Sequence, residues 1–293
     1  MTDHSVHGAA QAQRAEHFLQ LHKMSGPLVL PNAWDAGSAH MVAAAGASAV
    51  ATSSGAVSWA HGVQDGSNLD LDTVRVSLRE IVSAVGDLPV TADIEGGYAQ
   101  APEGVGASVA AVIDAGVVGI NLEDSGAPAD SSTAPLYTAA DQAARIAAAR
   151  DAAQRAGIRL FINVRTDVYL AGVGAEAGRY DDVVARAQAY SAAGADGLFV
   201  PGLLDLELLS EISQATDLAL NAMWLPGAPS PAELYEAGVA RVSVGTALFQ
   251  ATYTYLQRVA EKLLNEGSYA DLDDALSFGE FNDAFRVRSR DGD

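Results

Sequence analysis

The sequence predicts one closed (β/α)8 barrel, and three observations carry that expectation. The chain has 293 residues; one α/β barrel of about 250 residues fits that length, although roughly 100–200 residues per domain would also admit two domains. A unit of glycine with a small neighbour, followed by a short apolar run, recurs as AAAGASAVATSS, DAGVVGINLEDS, RAGIRLFINVRTD, AAGADGLFVPG and EAGVARVSVGTA. Each copy follows an Ala-rich stretch with helical periodicity.

The repeat sets out the elements in order. Gly46, Gly116, Gly157, Gly194 and Gly238 fall where a helix ends in a left-handed residue, and a buried strand follows each. Near-continuous apolar runs such as 48–52 and 197–200 suit strands covered on both faces, as in a parallel sheet. LVLP at 28–31, PVTADI at 89–94 and LALNAM at 218–223 supply three more strands. The eight expected strands lie near 28–31, 48–53, 89–94, 117–122, 159–164, 196–200, 217–222 and 239–244. Helical patterns separate them at about 35–45, 70–86, 104–115, 138–156, 180–193, 204–214 and 231–237, and a longer one at 246–265 follows the last strand. Such alternation means parallel strands joined by right-handed crossovers. An open doubly wound sheet would need a GxGxxG turn after an early strand, and none is present. A TIM-type barrel over about 26–250 follows, with an N-terminal helix at 9–24 and one or two helices at 268–288. No Pro/Ser-rich linker divides the chain, so residues 1–293 read as a single domain with a C-terminal helical extension over about 251–288.

Composition bounds the function. Seventeen Lys and Arg against 37 Asp and Glu give a formal net charge of −20. That surplus argues against a nucleic-acid partner, which needs a basic face. No run of about 18 apolar residues spans a bilayer. The first residues lack the basic-then-apolar order of a signal peptide, so a cytoplasmic protein is expected. The absence of cysteine excludes disulfides, thiolate metal sites and thiol catalysis.

In a barrel the chemistry sits at the C-terminal ends of the strands. Strand 1 ends in Asn32-Ala33-Trp34-Asp35 and strand 2 in Thr52-Ser53-Ser54-Gly55, with Asp65 in the following loop. Strand 3 ends in Asp93-Ile94-Glu95-Gly96-Gly97-Tyr98, strand 4 in Asn121-Leu122-Glu123-Asp124-Ser125 and strand 5 in Asn163-Val164-Arg165-Thr166-Asp167. Strand 7 carries Asn221. Asp93 and Glu95 are two apart and would share a face on a regular strand. With Glu123 beside them and Asp65 reaching over, the acids would repel one another unless a cation lay among them. Oxygen-only donors suit Mg²⁺, or Mn²⁺, better than Zn²⁺. Arg165 is the one cation at a strand end, and its planar fork matches a substrate carboxylate; an ion pair to Glu123 is the alternative use. Ser53, Ser54 and Gly55 offer a small anion cradle. Gly96 and Gly97 allow either close backbone approach to a ligand or a tight turn. The histidines, at 4, 7, 17, 22, 40 and 61, form no pair or triad.

PNAWDAGSA (31–39), ATSSG (51–55), GVQDG (62–66), TADIEGGY (91–98), GINLEDS (119–125), NVRTDVYL (163–170) and ADGLFVPG (195–202) together resemble the isocitrate lyase/phosphoenolpyruvate mutase superfamily, in register over about 30–250. The resemblance implies a barrel whose last helix is exchanged between subunits of a homodimer or homotetramer, Mg²⁺, and small 2-oxo acid or enolpyruvate substrates handled through a metal-held enolate. It places Asp65, Asp93, Glu95 and Glu123 in the metal shell, some through water. It places Ser53, Ser54 and Gly55 on the substrate carboxylate and enolate oxygen and Arg165 on the carboxylate; Trp34, Asp65, Gly96, Gly97 and Asn221, at the strand ends and in the loop after strand 2, are further candidate substrate contacts. Arg165, Ser53 and Glu123 are the expected catalytic groups. The isocitrate and methylisocitrate lyases of that superfamily use a cysteine loop after the position of Glu123; here the loop reads SGAPADSSTAPLYTAAD, without cysteine. The mutases use an Asn-Ser pair in the same loop, where this chain has Ser131-Ser132, and a His at the end of strand 6, where it has Pro201. These departures leave a lyase, decarboxylase or hydrolase of a 2-oxo acid, and favour a Mg²⁺-dependent lyase cleaving a C–C or C–P bond, such as an oxaloacetate decarboxylase or an acylpyruvate/malate-type lyase. A phosphonomutase and a non-catalytic metabolite-binding barrel are the alternatives.

Overall fold

A computed structural model describes residues 3–66, 69–126 and 136–285. The strands are β1 (Leu28–Leu30), β2 (Asn32–Ala33), β3 (Val50–Thr52), β4 (Val90–Asp93), β5 (Gly119–Glu123), β6 (Phe161–Arg165), β7 (Gly197–Phe199), β8 (Ala219–Met223) and β9 (Val239–Ser243). Their order is β1-β9-β8-β7-β6-β5-β4-β3-β2, and all the pairings are parallel. Pro31, which has no N–H to donate, separates β1 from β2. Together these two segments are the first barrel strand: the lower part pairs with β9 and the upper with β3, which brings the circuit round on itself. Each of the five glycines of the repeat has a positive φ, between 69° and 100°, as the helix-end reading requires.

Around the strands run α1 (Asp3–Leu21), α2 (Ala36–Ala44), α3 (Ser54–Ala60), α4 (Leu71–Val85), α5 (Pro102–Asp114), α6 (Ala139–Ala156), α7 (Arg179–Ala192), α8 (Leu206–Ala215), α9 (Pro231–Glu236), α10 (Ala247–Glu266) and α11 (Phe278–Ala284). Caps set many of the starts: Asp35, Thr138 and Ser230 each accept a backbone N–H in the first turn of α2, α6 and α9. On α4 the buried residues Val74, Leu78, Ile81 and Val85 recur at helical spacing and face the sheet. α3 lies where the sequence suggests only a loop. It is a seven-residue helix begun by Ser53, whose side chain accepts from Ala56 N. α1 starts at Asp3 rather than near 9, and within 268–285 the chain makes a 3-10 turn at 270–272 and then α11.

α1 plugs the bottom of the barrel. Phe18 is fully buried with its ring edge-on to Phe161 at 5.6 Å, and His22 stacks on Phe161 at 3.8 Å. A Cβ on Gly119 would come within 2.7 Å of Phe18 and 2.8 Å of Thr91 Oγ1, so glycine is what admits the plug. His22 Nδ1 donates to Phe18 O at 2.8 Å. Burial first, and then the nearby Arg241 charge, pushes the His22 pKa down to about 3. At the other end of the chain α10 buries only Phe249 and Val259. It leaves Leu248, Tyr253, Tyr255, Leu256, Leu263 and Leu264 exposed. Among the described residues no helix is long and apolar enough to cross a membrane.

Candidate active site

The C-terminal ends of β3 to β6 bring the acids together. Register opposes Glu123 on β5 to Arg165 on β6, and Arg165 Nη1 lies 2.9 Å from Glu123 Oε2. The remaining side of the guanidinium is taken by Asp167, with Nε at 2.6 Å from Oδ1 and Nη2 at 2.9 Å from Oδ2. Arg165 therefore makes the ion pair to Glu123 and, in addition, a forked pair to Asp167, which sequence reasoning did not select. Burial pulls the Arg165 pKa down, but Glu123 and Asp167 outweigh it and hold the group charged. Burial pushes Glu123 above the usual carboxylate range, and Asp93 adds to this, while Arg165 and Ser125 pull it back.

Asp93 ends β4. Its Oδ2 accepts from Ser54 N at 3.3 Å and Ser54 Oγ at 3.0 Å, and its Oδ1 accepts from Glu95 N at 3.2 Å. The expected strand alternation does not continue to Glu95. That residue has φ 50° and Tyr98 has φ 54°, and these are the non-glycine positive φ values among the described residues. Such backbone costs on the order of 1–3 kcal/mol per residue and collects at functional sites. Tyr98 is a second residue the sequence did not single out. Burial, then the fields of Glu95, Asp93, Asp65 and Glu123, hold its hydroxyl well above the ordinary phenol range, so it stays protonated. All four sequence-predicted acids thus act on one group. Asp65 packs against Gly55, where a Cβ would stand 2.9 Å from Asp65 Oδ2 and 3.1 Å from Thr246 Cγ2.

The other predicted residues are distributed as follows. Ser53 is buried and caps α3. Gly96 O accepts from Arg145 Nη2, and a Cβ on Gly97 would meet Val105 at 3.1 Å and Leu122 at 3.2 Å. Both glycines therefore serve the turn and its packing. Trp34 packs edge-on against Phe249 at 5.1 Å, in a small apolar cluster with Ala56 and Val57. Asn221 is fully buried inside the barrel, where its Nδ2 reaches Ser243 Oγ at 3.2 Å. Ser131 and Ser132 lie outside the described residues.

Among the described residues no three His, Asp or Glu side chains come close enough to ligate one ion directly. The donors are nevertheless hard oxygens, and carboxylates outnumber cations at the mouth. The donor chemistry fits a hydrated divalent ion, which Asp65, Asp93, Glu95 and Glu123 would hold in part through water, as Mg²⁺ is usually bound.

Behind the mouth lies a buried network. Asp124 is fully buried; its Oδ1 accepts from Asp167 N at 3.0 Å, and its Oδ2 from Arg186 Nη1 at 3.0 Å and Tyr190 OH at 2.9 Å. Arg186 also donates to Tyr137 O at 2.9 Å and Asp182 Oδ1 at 3.0 Å. This network fixes Asp167, and through it Arg165.

Comparison with known proteins bears on the fold and the family. Residues 18–264 match the family described as phosphoenolpyruvate phosphomutase. A crystal structure of a candidate phosphonomutase from Burkholderia cenocepacia J2315 is 43% identical, covers 86% of this chain and 99% of its own, and superposes with a TM-score of 0.79. An uncharacterized protein of Mycobacterium tuberculosis is 36% identical over 80% of this chain and 83% of its own length. The chloroplastic carboxyvinyl-carboxyphosphonate phosphorylmutase of Arabidopsis thaliana is 30% identical over 90% of this chain and 79% of its own. Oxaloacetate decarboxylase of Pseudomonas savastanoi pv. phaseolicola is 29% identical over 64% of each. At lower identity, 24% and 20%, the fold recurs in 2,3-dimethylmalate lyase (TM-score 0.79) and oxaloacetate acetylhydrolase (TM-score 0.82). The chain belongs to the phosphoenolpyruvate phosphomutase family.

Proposed function

We propose that the protein is a Mg²⁺-dependent lyase that cleaves the C–C or C–P bond beta to the carbonyl of a small 2-oxo acid, with oxaloacetate-like acids as the first candidates. The observation that carries this reading is the convergence of Asp65, Asp93, Glu95 and Glu123 about Tyr98, beside Arg165 and the Ser53-Ser54-Gly55 turn. A relative named oxaloacetate decarboxylase and a structural neighbour named oxaloacetate acetylhydrolase support the substrate class.

The divalent ion, when bound, supplies Lewis-acid stabilisation of negative charge developing on substrate oxygen. The protein's own groups do the rest. Arg165 has five N–H donors, of which three face Glu123 and Asp167. One N–H on each Nη remains for a substrate carboxylate. Ser54, pinned on Asp93 through its N–H and Oγ, holds that carboxylate in one orientation, and Ser53 and Gly55 contact the substrate's carboxylate and enolate oxygens. Asp93 and Glu123, which act on each other through their charges, hold the ion with Asp65 and Glu95. With no cysteine in the chain, water or solvent protons can complete the product.

Turnover of oxaloacetate, substituted malates and phosphonopyruvate, measured with and without Mg²⁺, tests the reading. Asp93→Ala is expected to lower kcat/KM by about 100-fold or more, since several kcal/mol of charge stabilisation are at stake. A rate and metal dependence left intact by that change would overturn the proposal. The phosphonomutase reading, favoured by the names of two relatives, predicts a rearranged C–P product visible by ³¹P NMR. Tight oxalate binding with no turnover on any of these acids would make the protein a metabolite-binding barrel. We also propose that α10 and α11 exchange with a second copy in a homodimer or homotetramer. The exposed apolar residues of α10, with Phe278 and Phe281 of α11, supply the surface. A sedimentation mass of one chain would exclude it.

A further inference from the structure

Arg241, on β9, is 1% exposed and reaches across the barrel interior. Its Nη2 donates to Asn121 Oδ1 at 3.2 Å, the same oxygen that accepts from Asn163 Nδ2 at 2.9 Å. Its Nε and Nη1 are buried and have no hydrogen-bond partner among the described residues. No carboxylate there forms an ion pair with it. Burial pushes its pKa down to about 9, with Asp93 opposing, which leaves it charged at neutral pH.

For the fold this is a poor solution. A buried charge without a counter-ion is costly, and an apolar side chain of similar volume would be neutral or stabilising. The other buried arginines of the barrel wall show what a structural role looks like: Arg145 bonds the carbonyls of Ala99, Gln100 and Gly96, and Arg186 pairs with Asp124. Arg241 differs in having neither a carboxylate nor a set of carbonyls around it, with two of its three nitrogens unpartnered among the described residues. Its partner Asn121 stands opposite Asp93 in the register of β4 and β5, so the charge lies just beneath the mouth, with Asp93 above it and His22 below. There, five carboxylates (Asp65, Asp93, Glu95, Glu123 and Asp167) face one guanidinium, that of Arg165. In a desolvated interior one unit of charge is weakly screened and weighs heavily.

We propose that Arg241 is a charge-balancing, positioning residue of the site: its buried positive charge lowers the negative potential at the barrel mouth so that a small dianion of the 2-oxo dicarboxylate class binds among the acids. The proposal rests on the function read above. It makes a prediction that a packing role does not, because removing the charge must move cation and anion affinities in opposite directions.

Calorimetric titration of the whole protein, of Arg241→Met and of Arg241→Lys, with Mn²⁺ alone and then with oxalate at saturating Mn²⁺, tests it alongside thermal unfolding. The Met variant is expected to bind Mn²⁺ on the order of tenfold more tightly and oxalate on the order of tenfold more weakly, with its Tm unchanged or raised. The Lys variant, which keeps the charge, is expected to stay near wild type in both titrations. Unchanged affinities in the Met variant, or a Lys variant that behaves like Met, would overturn the inference while leaving the proposed function standing. A Met variant that fails to fold would also overturn it, by assigning the charge to the fold. Wild-type protein that binds neither Mn²⁺ nor oxalate would remove both.

Discussion

Two sides of the barrel handle buried charge in opposite ways. Where β5 and β6 end, Asp124 takes Arg186, Tyr190 and the Asp167 backbone, and each charge has a partner in place. Where β8 and β9 run, Arg241 keeps a full charge with Nε and Nη1 unpartnered, and its neighbours Asn221 and Ser243 bond each other instead. Completely paired charge behaves as scaffold, since removing one member strands the rest. Unpaired charge is a cost to the fold that only an effect elsewhere offsets. The contrast separates groups that hold the site from groups that set its potential.

The largest expected effect breaks the paired side. Asp124→Ala leaves Arg186 charged and buried, and it removes the acceptor that fixes Asp167. Urea unfolding is expected to show a loss of about 3–5 kcal/mol. A loss under about 1 kcal/mol would mean that the two sides do not differ as described.

That contrast was hidden in the sequence, while the barrel was not. A glycine at each helix end and an apolar run after it are local signals, and local signals survive folding; the strands and long helices lie within a few residues of where the repeat puts them. The acids of the mouth were legible too, because a barrel assigns strand ends to the site. Pairing was less legible. The Arg165–Glu123 pair is one of two uses the sequence allows, and the register that sets them opposite, 42 residues apart, selects it. Arg241 meets Asn121 across 120 residues, and within VARVS it reads as an ordinary strand polar residue. Strand alternation stops short of Glu95 for a local reason: β4 ends at Asp93 and Glu95 adopts φ 50°. Tyr98 gave no signal because its role depends on four carboxylates from three separate segments.

A smaller change sharpens the paired side. Tyr190→Phe deletes the hydrogen bond to the Asp124 carboxylate and the longer one that Tyr190 OH accepts from Arg186 Nη1 at 3.2 Å, and leaves the Arg186 and Asp167 N–H bonds to Asp124 in place. Hydrogen bonds to charged groups are worth about 1.5–3 kcal/mol, so the variant is expected to lose less than Asp124→Ala by urea unfolding. Its KM for the 2-oxo acid is expected to hold, because Asp167 still grips Arg165. A KM that rose as much as stability fell would show that the network works as a single unit.

The smallest effect, taken per pH unit, lies on the floor of the unpaired side. His22 is neutral in the folded protein down to about pH 3, through burial and then the Arg241 charge, whereas in the unfolded chain it titrates near 6.5. Below pH 6.5 the unfolded chain therefore binds the extra proton. The stability that neutral His22 contributes is complete above that pH and is lost as pH falls towards 3, at roughly 1.4 kcal/mol per pH unit. Measured as the difference between wild type and His22→Phe, which keeps an aromatic ring beside Phe161 and does not titrate, this slope is expected to appear from pH 6.5 downward. Arg241→Met should leave the slope and its upper end alone. The same change should raise the folded pKa, because only burial then depresses it, so the window closes from its acid side and the total loss shrinks. A window that Arg241→Met leaves unchanged would mean that the charge does not reach the floor.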